Sequence, residues 1–232
     1  NGDITMNIAE YLNSQLGSAS PEIIKTHFWE KFGVVVKTLT QSDQTLYQFK
    51  YHMLEAKWSL PLTHECRGCI LYRDANGGFS FASRPFNKFF GLHEGFCHLV
   101  DRSALESPLP NLSAIEKIDG TCIQLWWNKI TETWWASTLG MIQAGSVNDT
   151  DLTFDQLFWL TAGIQITDVL DKEYTYIWEL ACPENRVVTI YQHSSAHLLG
   201  ARKTSTGEYL QIEQLHNLIE KMWEVLGTGL CS

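Results

Sequence analysis

An amine, a carboxylate and a glycine stand together in Lys117-Ile118-Asp119-Gly120, between the apolar-rich runs 112–115 and 121–127. A lysine can attack a phosphoanhydride and hold the nucleotide as a covalent phosphoramidate, which splits one hard transfer into easier steps. Asp119 is placed to face a metal-bound water, and Gly120 lets the chain pass close to a bound nucleotide. A free lysine has a pKa near 10.4, so the neutral amine costs roughly 4.6 kcal/mol at pH 7. Nearby cations and a metal reduce that cost, whereas a carboxylate alone increases it. The chemistry therefore requires positive neighbours.

The elements that must position these groups follow from hydrophobic period and turn residues. Ile8, Leu12 and Leu16, with Tyr11, mark a helix stopped by Gly17; Ser20-Pro21-Glu22 opens a second that ends near Gly33. Residues 34–39 and 46–51 read as strands joined around 41–44, and residues 69–73 and 79–82 flank the hairpin signal Asn76-Gly77. Further strands are expected at 115–117, 122–127, 134–137, 174–180, 186–190 and 196–201, with helices at 152–163 and 213–226. Neighbouring strands with short turns imply an α+β fold of mainly antiparallel sheets with packed helices. In the pairs Trp126-Trp127 and Trp134-Trp135, alternation makes one of each pair core.

Composition bounds the function. The 232 residues, 44% hydrophobic with nine tryptophans, suffice for one large domain with a sizeable core. No run of about 18 apolar residues and no secretory signal is visible, so a cytoplasmic protein with no membrane segment is expected. The net charge of −9 has the wrong sign for a general nucleic-acid coat, though a local basic groove inside an acidic shell remains compatible with RNA. Cys66-Arg67-Gly68-Cys69 has zinc-knuckle spacing without a second pair. A site completed by His64, His93 or Cys97 is one reading; buried reduced thiols are the expected one.

Four other segments occur in order around the lysine motif: Glu65-Cys66-Arg67-Gly68; Ser83-Arg84-Pro85-Phe86-Asn87-Lys88-Phe89-Phe90; Trp178-Glu179-Leu180 running into Pro183-Glu184-Asn185-Arg186-Val187-Val188; and Leu198-Leu199-Gly200-Ala201-Arg202. From about Tyr47 to about Tyr209 the chain resembles the bacteriophage RNA ligase 1 family, ATP-dependent covalent nucleotidyltransferases related to DNA ligases and mRNA capping enzymes. The resemblance implies the adenylation-domain fold of that superfamily, with residues 1–33 as an N-terminal helical segment, 34–211 as the ATP-binding core and 212–232 as a terminal helix. It implies that Lys117 takes AMP from ATP, that AMP passes to an RNA 5′-phosphate, and that an RNA 3′-hydroxyl seals the strand. Magnesium, or manganese in its place, is the implied cofactor, and a monomer is expected.

By the same resemblance, Arg67 positions nucleotide and polynucleotide phosphates, Lys88 contacts nucleotide phosphates, and Glu116 contacts the adenine. Glu179 binds the ribose or the metal-water shell, and Asp119 holds the metal through water. Arg84 and Arg186 supply further positive charge, and Gly120 completes the ATP-binding set. Structural readings stand beside these: Arg67 as an ion pair with Glu65, Lys88 snorkelling from an aromatic cluster, Glu179 as a paired half-buried carboxylate, and 184–186 as a turn into a strand. Two departures from the family pattern are visible. The closing Glu-Gly-x-Val and Lys-x-Lys strands do not appear after Tyr209, which suggests a chain truncated before its last two motifs, and Ser137-Thr138-Leu139-Gly140 lacks a lysine before its glycine. A non-catalytic nucleotide- or RNA-binding remnant and a guanylyltransferase of the capping type are the alternative functions.

Overall fold

Several strands carry large apolar side chains on both faces, so both faces need cover. The computed structural model describes residues 6–91, 94–96, 116–143, 145–148, 150–185 and 188–227. It meets the requirement with two four-stranded antiparallel sheets stacked on each other and helices outside each. The first sheet runs in the order β1 (Val34–Gln41), β2 (Gln44–Tyr51), β3 (Arg67–Arg73), β4 (Phe79–Ser83). The second has the order β6 (Thr133–Thr138), β5 (Thr121–Asn128), β7 (Tyr174–Ala181), β8 (Ser195–Lys203).

Strand period two sorts the core into three layers. Tyr47, Phe49, Cys69 and Leu71 face outward from the first sheet onto helices α1 (Ile8–Gln15) and α2 (Pro21–Phe32), through Ile8, Leu12, Ile24 and Phe28. Ile123, Leu125, Tyr176 and Trp178 face outward from the second onto Leu157, Phe158, Ile166 and Met222. Those residues belong to α4 (Phe154–Ala162), the 3-10 segment Ile164–Val169 and α5 (Ile212–Leu226). Between the sheets lie Leu46, Ile70, Tyr72, Ala82, Trp126 and Ile142. Trp126 is fully buried and its cross-strand partner Trp135 packs against the same layer, which answers the alternation expected of the tryptophan pairs.

Local signals start the helices as the sequence indicates. Asn7 and Glu10 form a capping box on α1, Ser20 caps α2 ahead of Pro21, and Thr153 with Gln156 boxes α4. The α+β class and its antiparallel sheets agree with expectation. Two strands do not. Residues 116–119 are irregular, so Lys117 stands in a loop that enters β5 at Thr121, and residues 188–190 are bends and irregular chain. In both places backbone groups are taken up by loop contacts described below. The short helix α3 (Pro61–Glu65), which leads into β3, had no strong sequence signal.

A polar junction pins the two sheets together. The β2–β3 register shifts between Phe49 and Lys50, leaving Gly68 as a bulge at φ +95°. Its carbonyl turns toward the second sheet and accepts from Gln124 Nε2 at 2.8 Å and Gln48 Nε2 at 3.4 Å. The same amides reach the Thr138 carbonyl at 3.1 and 2.9 Å, and Ser83 Oγ donates to Gln124 Oε1 at 2.6 Å. A Cβ at Gly68 would lie 2.7 Å from the Leu139 carbonyl oxygen. Only glycine permits both the positive φ and this approach.

Beside the junction, Glu65 and Arg84 form a buried ion pair, with Oε1 2.5 Å from Nη2 and 2.9 Å from Nε. Glu65 Oε2 also accepts from the Ile8 amide at 2.8 Å, which ties α1 to the start of β3. Removing one member strands a buried charge. Glu65→Ala is expected to lower unfolding free energy by about 3–5 kcal/mol, read as a reduced urea midpoint. A midpoint shifted by less than about 1 kcal/mol would show that Arg84 finds water instead.

Candidate active site

The Gly68 bulge does more than hold the sheets. It reverses the alternation of β3, so that Arg67 stands opposite Lys50 on the inner face of the sheet, while Cys69, two residues on, packs outward. Across the gap, β5 and β7 present Cys122 opposite Glu179 on their inner faces. Arg67, Cys122 and Glu179 therefore meet at one end of the inter-sheet layer. Burial pushes the Cys122 thiol up to about 12, Arg67 opposing and Glu179 reinforcing the shift. That thiol is a neutral spacer at physiological pH.

Lys117 reaches the same cluster from the loop before β5. Burial raises the Glu179 pKa above the ordinary carboxylate value, opposed by the charges of Lys117 and Arg67, with Asp119 adding to the rise and a hydrogen bond from the Gly120 backbone opposing it. The carboxylate thus has both cations and the Lys117 loop around it. Arg67 lies over the Phe89 ring at 4.7 Å, and its Nη1 is buried with no hydrogen-bond partner among the described residues. A buried unpaired guanidinium donor is costly and is matched by an anionic oxygen.

The Lys117 loop is held by a segment 64 to 72 residues away in sequence. Asp119 Oδ2 accepts from the Val188 and Thr189 amides, both at 2.8 Å, and these two bonds, Thr189's first, hold its pKa below the usual range. The Asp119 amide donates to Tyr191 Oη at 3.2 Å, and Asn185 Nδ2 donates to Thr121 Oγ1. The 183–185 part of the Pro-x-Asn-Arg-x-Val motif is a single 3-10 turn with Asn185 buried. Its visible task is to brace the loop before β5. Asp119 thus has one carboxylate oxygen, Oδ2, on backbone amides. Gly120 does serve a close approach, but to protein: a Cβ there would lie 2.4 Å from the Leu180 carbonyl oxygen.

The remaining expected residues are placed as follows. Glu116 is exposed. Arg186 lies outside the described residues. Lys88 is engaged by Glu94 at 3.2 Å and sits over the Phe90 ring at 4.7 Å, close to the snorkelling reading, in the loop that also carries Phe89. Arg84 is engaged by Glu65 rather than held open for phosphate, and Arg67 does not make the Glu65 pair considered for it. Among the described residues no group of three or more His, Cys, Asp or Glu side chains could hold a metal. Cys66 and Cys69 are buried free thiols whose pKa values burial raises; His93 and Cys97, considered with them, lie outside the described residues. No helix among the described residues is long and apolar enough to cross a membrane.

The Lys117 loop thus stands at a sheet end beside a partly buried carboxylate and an arginine donor with no partner among the described residues. Residues 65–229 match the profile of the RNA ligase family of the phage T4 RNA ligase 1 type, and the chain belongs to that family. It is 31% identical over 228 residues to an RNA ligase of Rhodothermus phage RM378, covering 85% of this chain and 50% of the relative. It is 29% identical over 201 residues to a candidate bifunctional polynucleotide kinase/RNA ligase of Autographa californica nuclear polyhedrosis virus, covering 80% and 28%. The chain thus spans half or less of the length of these relatives. Among solved structures, an archaeal ATP-dependent RNA ligase shares the fold at a TM-score of 0.50 and 13% identity, covering 91% of this chain and 50% of that one.

The raised Glu179 pKa has a consequence for stability. The folded state holds the Glu179 proton to higher pH than the unfolded chain, so stability falls as pH rises from about the ordinary value of 4.5 through the folded value. Glu179→Gln is expected to be more stable than wild type at neutral pH, with the advantage shrinking on acidification through that window. Urea titrations at a series of pH values measure it; a Gln variant less stable at neutral pH would mean that the Arg67 and Lys117 attractions outweigh desolvation.

Proposed function

We propose that the chain is the adenylate-forming part of an ATP-dependent RNA ligase. Lys117 Nζ, having lost a proton, attacks the α-phosphate of ATP; a P–N bond forms and the P–O bond to pyrophosphate breaks. AMP then passes to an RNA 5′-phosphate, and an RNA 3′-hydroxyl displaces AMP to seal the strand. The observation that carries this reading is the buried Arg67 Nη1, without a hydrogen-bond partner among the described residues, on the face that Lys117 and Glu179 share. Family membership and the shared fold support it.

In this reading Arg67 grips a phosphate oxygen, and its charge with that of the metal favours the neutral lysine amine. Magnesium neutralises phosphate charge when bound, and Glu179 is the residue whose position suits one of its water ligands. Glu179 needs to be ionised for that task, and a bound cation favours the ionised form. Asp119 acts by fixing the loop on which Lys117 rides. Lys88 exchanges Glu94 for a nucleotide phosphate, and Glu116 and Arg186 lie in sequence beside the loop and its brace.

The test is incubation with ATP labelled at the α-phosphate and magnesium. An acid-labile label on the protein that is absent from Lys117→Ala is expected; no label, or label surviving that substitution, would overturn the reading. Arg67→Ala is expected to keep its melting temperature while labelling falls roughly tenfold or more, since a charge-assisted phosphate contact is worth about 1.5–3 kcal/mol. Unchanged labelling removes Arg67 from the site, and a collapsed melt makes it structural.

A further inference from the structure

A second basic feature lies beside the site and has no role in the chemistry above. A cavity of about 340 Å³ opens where β1 and β2 meet the turn after β6, lined by Val35, Lys37, Gln48, Lys50, His52 and Gly140. Lys37 Nζ donates to the Gly140 carbonyl at 2.7 Å. Lys50 Nζ reaches the same glycine, 3.1 Å from where a Cβ would stand. Two ammonium groups therefore converge on one turn.

Nothing among the described residues balances them. The ion pairs there join Arg84 to Glu65, Lys88 to Glu94 and Lys203 to Glu173, and neither Lys37 nor Lys50 has a carboxylate partner. The Lys50 pKa is lowered, first by burial and then by Lys37, with no acidic group opposing. In a chain carrying 26 acidic and 17 basic side chains, an uncompensated lysine pair is against the trend of the surface. Like charges brought together oppose folding, and a bound anion relieves the repulsion.

The direction of the pair identifies the anion's class. Lys37 pairs with Gln48 and Lys50 with Arg67 in the ladder, so the three cations form a row on one face of the sheet, leading from the cavity to the Arg67–Glu179 cluster. His52 and Met53 also line the cavity; Met53 is 68% exposed, and His52 contacts edge-on, at 5.5 Å, the ring of Trp29, which is 45% exposed. A line of cations ending at exposed aromatic and apolar side chains is how proteins hold single-stranded nucleic acid: phosphates on the cations, a base on the ring.

We propose that Lys37 and Lys50 seat a backbone phosphate of the RNA strand, with Trp29 and His52 supporting a base, and guide that strand to Arg67. This rests on the ligase reading for its choice of RNA, and the closing experiment separates the two. The probe is a short 5′-phosphorylated oligoribonucleotide with a 3′ fluorophore, titrated with the full chain at several salt concentrations, alongside α-labelled ATP transfer to the protein.

The double variant Lys37→Gln, Lys50→Gln is expected to bind the probe roughly tenfold or more weakly. The slope of log affinity against log salt is expected to lessen by roughly 1.4, about 0.7 for each lost single-strand contact. Transfer of label from ATP should stay within about twofold of wild type, and Lys37→Arg, Lys50→Arg should retain RNA binding. Trp29→Ala is expected to weaken binding with no change in slope. Unchanged affinity and slope in the Gln pair, or a wild-type chain that ignores the probe, would overturn the proposal. So would a parallel loss of ATP labelling with RNA binding intact, which would make the cavity a nucleotide site. Failure of wild-type labelling alone, with the RNA results as expected, would overturn the ligase chemistry and leave the phosphate seat standing.

Discussion

The molecule depends on a polar contact between two sheets. Gln48 and Gln124 share the carbonyls of Gly68 and Thr138 within an otherwise apolar layer. Burying such amides without partners would cost several kcal/mol, so the two sheets are bound to one register and one separation. An apolar layer alone, built of Leu46, Ile70 and Trp126, would resist separation but tolerate sliding. The bulge that supplies the Gly68 carbonyl also turns Arg67 inward. One backbone irregularity thereby fixes the relation of the sheets and aims a cation at the site between them.

The electrostatics follow from that placement. Arg67 and Lys117 come to a half-buried carboxylate from different sheets, one on a strand and one on a loop. Neither cation has an ion-pair partner within 4 Å among the described residues, and Glu179 still has its pKa raised. Charges that nearly balance without closing into a pair leave room for polyvalent anions and a divalent cation.

Much of this was legible in the sequence, for physical reasons that can be named. The helix starts carried their caps, and the hairpin at Asn76-Gly77 carried its turn residues. The family was recognisable because the motifs that carry Arg67, Lys117 and Glu179 lie in order along the chain. What escaped was what depends on contacts distant in sequence. The bulge at Gly68 looks like any glycine near a strand until Gln124 is brought to its carbonyl. The contacts of Asp119 with the amides of Val188 and Thr189 could not be read, because backbone amides have no side-chain signature. Arg84 looked free for phosphate because Glu65, its partner, lies nearer in sequence to Arg67. Gly140 showed no lysine beside it in sequence, yet Lys37 and Lys50 arrive there from β1 and β2.

In the proposed reaction Arg67 Nη1, which has no partner among the described residues, meets a nucleotide phosphate within reach of Lys117. A crystal structure of the chain with magnesium and an ATP analogue that cannot transfer its α-phosphate tests it most directly. Arg67 Nη1 is expected in hydrogen-bonding distance of a phosphate oxygen, with Lys117 Nζ facing the α-phosphorus opposite the leaving group and the Asp119–Thr189 contact unchanged. A nucleotide bound away from β5 and β7, or one that leaves Arg67 Nη1 without a partner, would contradict it.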